Sequence, residues 1–205
     1  MTKEQILADL DYASALAKDG ATTPLLGGRI GLMWGILLTL VFFGQWAILS
    51  GTLNVSPGYI GGLWAGFAII GGIGSTLMGR KIDAKPGANS VANRVETYVW
   101  VMFAGYAATL FIGVVLNMLI QKSGPQTFDF IVIAAFAGQG LAYGVVAKLT
   151  ALKWVHYASF TGFAASAICF SLLGTTEIYI AASIAAIFTI IVPSLISLKA
   201  ESQNG

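Results

Sequence analysis

The chain has 205 residues, of which 57% are hydrophobic and 10% carry a charge. Soluble domains usually carry about 25% charged residues, so this composition excludes water as the main solvent and indicates a membrane protein. The net charge of +2 comes from few ionisable groups, too few for the dense basic surface that binds nucleic acid.

The N-terminal region, residues 1–28, is more polar than the rest and contains the first predicted helix. Thr2 and Gln5 have the spacing of a capping box, and Gly20 suits a C-terminal cap. Four apolar residues share one face of this amphipathic helix: Ile6, Leu10, Ala13 and Ala17. Acidic residues outnumber lysines here, so we expect the face to dock protein rather than anionic lipid: the inner loops of the bundle itself, a second copy or a soluble partner. Residues 22–28 are predicted to form a flexible elbow.

Residues 29–200 contain six apolar stretches, each long enough to cross a membrane. A helix needs roughly 20 apolar residues to cross about 30 Å of hydrocarbon. The predicted spans are residues 30–50, 59–78, 98–120, 128–146, 154–173 and 178–198. The connection at 147–153 is the weakest boundary, because one long fused helix there would change the count. The sequence predicts an all-α membrane protein with six transmembrane helices and a short tail at 201–205.

Lysine and arginine fall almost entirely on one side of this six-span topology. Loops rich in these residues are retained in the cytoplasm. Ten of the eleven lie on the side that holds both chain ends, and Lys122 takes the other side. We therefore expect a multi-pass protein of the cytoplasmic or inner membrane, in contact with membrane lipids, with both termini and the amphipathic helix in the cytoplasm.

The six spans can be grouped into three tandem helical hairpins. Each odd-numbered span follows a basic residue and soon carries a tryptophan: Arg29 and Trp34, Arg94 and Trp100, Lys153 and Trp154. This pattern suggests internal duplication. The alternative is that any six-helix protein with basic inner loops and interfacial tryptophans would show it.

Pairs of small residues four positions apart occur in every span, and such pairs let membrane helices approach closely. They are Gly31 with Gly35, Gly62 with Gly66, Ala104 with Ala108, Gly140 with Gly144, Gly162 with Ser166, and Ala182 with Ala186. We expect them to pack helices within one chain. In the last span, Pro193 removes the amide that would bond the Thr189 carbonyl, so a bend is expected there.

Three amide side chains lie within the predicted spans: Gln45, Asn117 and Gln139. Amides in hydrocarbon need hydrogen-bond partners, so we expect all three to face the bundle interior. Gln139 lies nearest mid-membrane and is the best single candidate for a site. A structural bond between helices is the competing role, and the one we favour.

Glu96 and His156 are predicted to lie at similar depth at the cytoplasmic mouth of the bundle. Buried ionisable residues often mark proton relays and gates, so a Glu96 and His156 pair is a candidate proton sensor or cytoplasmic gate. The simpler interpretation, which we favour, is two interfacial residues that reach water or each other.

The sequence offers no set of catalytic, cofactor-binding or metal-binding residues. One histidine and one cysteine, Cys169, are too few for a bis-histidine haem, an iron–sulfur cluster or a structural zinc site. The spans contain no pair of aspartates for an intramembrane protease. We expect a protein that is not an enzyme and that needs no cofactor.

Two functions fit these features. The first is a membrane subunit or regulator that docks a protein partner, or a second copy in a homo-oligomer, through its cytoplasmic face. The second is a small-solute transporter or channel, which we expect to be oligomeric and to lack ion coupling through buried charges. The lack of mid-membrane charge argues against ion-coupled transport.

Overall fold

The computed structural model describes residues 2–22, 24–150 and 152–204, without the side chains of residues 3, 13, 15–22 and 204. Every regular element in these ranges is a helix. The helices are α1 (Lys3–Thr22), α2 (Gly28–Leu49), α3 (Tyr59–Asp83), α4 (Val91–Gln121), α5 (Asp129–Leu149), α6 (Lys153–Ser171), α7 (Glu177–Ala186) and α8 (Val192–Asn204). A 3₁₀ turn, Pro125–Phe128, precedes α5, and a π turn, Ile187–Ile191, joins α7 to α8.

The predicted N-terminal helix is present as α1, and its capping box is formed. The Thr2 amide donates to Gln5 Oε1 at 3.0 Å, and the Gln5 amide donates to Thr2 Oγ1 at 3.3 Å. The helix continues to Thr22, so the prediction that Gly20 ends it is wrong. The N-terminal box fixes the start because it satisfies amides that have no partner within the helix.

Five stretches of the described chain are long and apolar enough to cross a membrane, which supports a multi-pass membrane protein. They are Gly28–Leu49, Tyr59–Asp83, Val91–Gln121, Pro125–Leu149 and Glu177–Gln203. The sixth predicted span corresponds to α6, a 19-residue helix that is not among them. Lys153, His156 and several hydroxyl side chains make α6 more polar than the other five.

Two boundaries differ from the sequence prediction. Helix α4 starts at Val91, about two turns before the predicted residue 98, because Ser90 caps it by accepting the Asn93 amide at 3.3 Å. Helices α5 and α6 are separate, so the fused helix does not occur.

Helices α5 and α6 pack closest, along the small residues that the sequence singled out. A Cβ added to Gly162 would lie 2.9 Å from the Gly140 Cα, and one added to Gly140 would lie 3.0 Å from the Ser159 carbonyl oxygen. A second seam joins α2 to the end of the chain, where Gly35 meets Ile190 and Ile191. Here the prediction of packing within one chain is confirmed.

Helices α3 and α4 lie at the periphery. Helix α3 packs on α2, and α4 packs on α5. A Cβ added to Gly62 or Gly66 would meet nothing within 4 Å, and Ala104 and Ala108 are exposed. The prediction that these two pairs pack within the chain is wrong. The most extensive packing, α5 on α6 and α2 on α7, crosses the boundaries of the predicted hairpins, so the three-hairpin arrangement is not confirmed.

Two clusters of buried apolar side chains occupy the two ends of the bundle. We call the end where α2 and α4 begin the basic end, since Arg29 and Arg94 lie there, and the other the far end. The basic-end cluster consists of Leu25, Ala92, Tyr143, Val146, Ala147, Val155 and Ala158. The far-end cluster consists of Phe42, Val132, Phe136, Ala165, Cys169, Ile178, Tyr179 and Ala182. Each cluster is accompanied by buried polar groups.

Candidate functional site

Within the elbow between α1 and α2, residues 24–28 lie at the basic end, and two leucines among them are buried. Leu25 and Leu26 are 2% and 4% exposed. The Leu25 carbonyl accepts from Ser197 Oγ at 2.8 Å, and the Leu26 amide donates to Asn93 Oδ1 at 2.8 Å. In the structure, residues 24–27 are therefore bonded to the bundle, whereas the sequence predicts an elbow without such bonds. The sequence TTPLLGG suggested a loop, but it did not reveal which side chains would bond its backbone.

Asn93 holds the elbow to the turn before α4. It is 4% exposed, and its Nδ2 donates to the Pro24 carbonyl at 3.1 Å and the Gly87 carbonyl at 3.0 Å. With the Leu26 amide on Oδ1, one side chain bonds two elbow residues and the turn. Sequence reasoning missed this residue because it placed position 93 in a loop. The Ser90 cap three residues earlier was the available signal.

Glu96 is buried beneath the elbow, and the structure does not pair it with His156. The Gly27 amide donates to Glu96 Oε2 at 3.3 Å, and a Cβ added to Gly27 would lie 2.8 Å from Glu96 Oε1. His156 is exposed on α6. Among the described residues, no ion pair joins Glu96 to a histidine, lysine or arginine. The carboxyl group is thus held by a backbone amide instead of a counter-charge.

Gln139 occupies the position that the missing proline amide leaves open. Its Nε2 donates to the Thr189 carbonyl at 2.9 Å, and Gln139 is 4% exposed. Pro193 has no amide to offer that carbonyl, and the chain forms the π turn Ile187–Ile191 just before it. The predicted irregularity is present, and the Gln139 side chain completes the backbone bonding of the last span.

Tyr143 extends this polar face of α5 toward the basic end. It lies one helical turn from Gln139 on the same side of the helix, is 7% exposed, and packs in the basic-end cluster with Leu25. Leu25 is followed two residues later by Gly27, whose amide bonds Glu96, and Gln139 bonds the Thr189 carbonyl. Glu96, Tyr143, Gln139 and Thr189 therefore form a polar column that runs inward from the elbow.

A second polar cluster lies at the far end and contains a buried carboxyl group. Asp129 is 3% exposed; its Oδ1 accepts from the Tyr179 hydroxyl at 2.5 Å, and its Oδ2 accepts from the Gly174 amide at 3.2 Å. Nearby, Trp64 Nε1 donates to Gln45 Oε1 at 2.6 Å. Gln45 thus faces the interior, as expected. Sequence reasoning missed Asp129: it lies one residue inside the predicted span 128–146, and no role was assigned to it.

Asn117 does not face the interior. It is exposed near the end of α4, and its Oδ1 accepts from Ser123 Oγ at 2.6 Å. The expectation that all three amides point into the bundle is therefore wrong for Asn117. Helix α4 is peripheral, so a position on it that looks deep in sequence lies outside the core.

The described part of the apolar face of α1 is exposed. Ile6 and Leu10 are 44% and 60% exposed, and Leu7 is also exposed. The side chains of Ala13 and Ala17, the other two members of the predicted face, lie outside the described part of the chain. Helix α1 contacts α4 but leaves the side chains of Ile6, Leu7 and Leu10 exposed.

The described residues hold no group of three histidine, cysteine or acidic side chains that could bind a metal ion. Cys169 is buried in the far-end cluster. Comparison with family models, with curated proteins and with solved structures finds no match to this chain. The candidate features are therefore the exposed face of α1 and the two buried polar clusters.

Proposed function

We propose that this protein is a non-enzymatic membrane subunit or regulator that docks a partner protein through α1. The observation that carries the proposal is the exposed apolar face of a capped helix outside the spans. Ile6 and Leu10 remain exposed, although the capping box gives the helix a defined start. A helix of this length is only marginally stable alone in water, so a patterned face without a cover favours a partner surface.

The elbow supports the same proposal. Since Leu25, Leu26 and Gly27 are bonded to Ser197, Asn93 and Glu96, α1 leaves the bundle from a fixed point. A helix presented from a fixed point loses less conformational freedom on binding than one on a loose linker. Glu4, Asp9 and Asp11 make the exposed part of α1 acidic, which favours a partner surface with basic residues around an apolar groove.

The proposal includes six crossings, with the basic end in the cytoplasm. Helix α6 would be the sixth span: its 19 residues rise about 28 Å, close to the hydrocarbon thickness. The bias of lysine and arginine supports the orientation. Single cysteines at positions 85 and 175 in a Cys169→Ser background should react with impermeant reagent from opposite sides of the membrane. Reaction of both from the same side would contradict the sixth crossing.

The docking test compares two charge insertions on opposite sides of α1. Leu10→Asp places a carboxylate on the apolar face, whereas Ala8→Asp places one on the polar side, since the two positions lie about 200° apart around the helix. Purification from native membranes in mild detergent should recover a partner with the native chain and Ala8→Asp, and lose it with Leu10→Asp. Equal thermal stability of all three proteins would show that the bundle is intact. A partner retained by Leu10→Asp, or no partner at all, would contradict the proposal.

A second candidate function, a small-solute transporter, is favoured by the buried carboxyl groups. Glu96 and Asp129 lie near the two ends of the bundle, within stretches long enough to cross a membrane. Ionisable residues in such positions often belong to substrate or ion pathways. They weaken the objection that the spans lack buried charge.

Transport would be tested first by binding. A solute that binds the native state raises the melting temperature, so a panel of small solutes can be screened on purified protein. A solute whose stabilising effect disappears in Glu96→Gln or Asp129→Asn, and which native protein carries into liposomes, would establish this candidate. Stabilisation unaffected by either variant would contradict a role for these carboxyl groups.

A further inference from the structure

The segment formed by Pro24, Leu25, Leu26 and Gly27, here called the plug, is a non-helical stretch buried between helices at the basic end. It has buried leucines at its centre, and Leu25 packs with Tyr143, Val146 and Val155. Non-helical backbone within a membrane bundle is tolerated only where protein or water satisfies its polar groups. Here four backbone groups are satisfied by three side chains.

Those side chains come from two different helices, α4 and α8. Asn93 and Glu96 on α4 bond Pro24, Leu26 and Gly27. On α8, Ser197 bonds the Leu25 carbonyl. The plug is held by separate bonds from side chains to its backbone, whereas a helical segment is held by consecutive hydrogen bonds within its own backbone. A segment held like the plug can leave as a unit, and the one helix bond at stake is the first of α2, where the Gly27 carbonyl accepts from the Gly31 amide at 2.9 Å.

Directly inside the plug lies the polar column of Glu96, Tyr143, Gln139 and Thr189. Thr189 Oγ1 is buried and has no hydrogen-bond partner among the described residues, although Thr189 is 1% exposed. Thr150, the extended residue that follows α5 at the basic end, also has a buried hydroxyl without a described partner. Buried hydroxyls without protein partners indicate places where a water molecule or a hydrogen-bonding solute binds.

We propose that the plug closes the basic end of a water-accessible path, and that its displacement admits water and small uncharged hydrogen-bonding solutes along the column as far as Thr189. Leu25 is the apolar seal, and the bonds from Asn93, Glu96 and Ser197 hold it closed. The proposal goes beyond partner docking by α1: the same bonds hold the base of α1 while the plug is closed, and the tests below measure only what the plug covers.

Thiol reactivity tests the path in purified protein in lipid nanodiscs. Val146→Cys in a Cys169→Ser background places a reporter beside Leu25, where N-ethylmaleimide should react slowly. Leu25→Ala removes the seal and Ser197→Ala removes one bond, so each should raise the reaction rate at position 146 tenfold or more. The matched controls are Leu172→Ala and Ser183→Ala, which make the same changes away from the plug and should leave that rate unchanged.

Native Cys169 provides an internal check, since it is buried in the far-end cluster. In chains that keep it, Leu25→Ala and Ser197→Ala should leave its reaction rate unchanged. Unchanged reactivity at position 146 in both plug variants would overturn the proposal. An equal rise at Cys169 would also overturn it, because that result describes a general loosening.

Hydrogen exchange on the native chain gives a second test that needs no substitution. If the plug opens as a unit, the amides of Leu26 and Gly27 should exchange at a common rate at least tenfold faster than amides in the middle of α2. Protection equal to that of α2 would mean that the segment opens only with the whole bundle, and the plug would then be a static part of the fold.

Discussion

Helices α3 and α4 are long and apolar enough to cross a membrane, as are α2 and α5, yet they contribute little to the core. Only 6% of the most apolar stretch of α3 and of α4 is buried, against 28% for α2 and 44% for α5. The two groups also differ at their glycines: those of α5 and α6 touch backbone across the seam, whereas Gly62 and Gly66 of α3 meet nothing. In a bilayer, apolar composition decides whether a helix inserts, and surface shape decides which helices it packs against.

The largest expected effect comes from replacing a glycine at the contact between α5 and α6, compared with the same replacement on the peripheral helix α3. Gly162→Ala places a Cβ 2.9 Å from the Gly140 backbone, so it should destabilise the bundle by about 1–3 kcal/mol through overpacking. Gly66→Ala enters open space and should be neutral, or stabilise α3 by up to about 1 kcal/mol through helix propensity. Thermal unfolding in mild detergent measures both. Equal losses of stability in Gly162→Ala and Gly66→Ala would contradict the distinction between packed and peripheral helices.

Buried and exposed polar side chains should show the same contrast. Asp129→Ala leaves the Tyr179 hydroxyl and the Gly174 amide without their acceptor, which should cost about 1–3 kcal/mol. Asn117→Ala removes an exposed contact with Ser123 and should leave the melting temperature unchanged. If Asp129→Ala melts like the native chain, the far-end cluster does not hold the helices together.

The bond at the π turn gives a smaller expected effect. Gln139→Leu leaves the Thr189 carbonyl without the Gln139 amide or a Pro193 amide, and hydrogen bonds between membrane helices contribute about 0.6–1.7 kcal/mol. The matched change on a peripheral helix, Asn117→Leu, should leave the melting temperature unchanged. A melting temperature for Gln139→Leu equal to that of Asn117→Leu would show that the carbonyl finds another donor.

The smallest effect concerns two serines with different partners. Ser183 Oγ donates from α7 to the Thr39 carbonyl on α2 at 2.9 Å, whereas Ser171 Oγ donates to Ile168 within its own helix at 2.7 Å. Ser183→Ala should therefore cost about 0.6 kcal/mol, and Ser171→Ala should cost nothing measurable. A larger loss of stability for Ser171→Ala than for Ser183→Ala would show that the bond between α7 and α2 is not what makes Ser183 important.

The amino-acid sequence by itself determined the features that depend on local chemistry. The capping box of α1 needs only Thr2 and Gln5, and the apolar stretches need only enough consecutive apolar residues to insert. The missing amide of Pro193 is likewise a property of one residue, so the irregularity near Thr189 could be predicted before its partner was known.

The tertiary structure decided every feature that depends on which helices are neighbours. Small-residue pairs on α3 and on α5 look alike in sequence, but only the pair on α5 meets another backbone. Glu96 was expected near His156 from depth alone, yet it bonds the Gly27 amide, because the elbow is inserted against α4. Asp129 and Asn93 each bond groups more than forty positions away in the chain. Sequence patterns give depth and helix face, but the rotation and neighbours of each helix follow from the packing of the whole bundle.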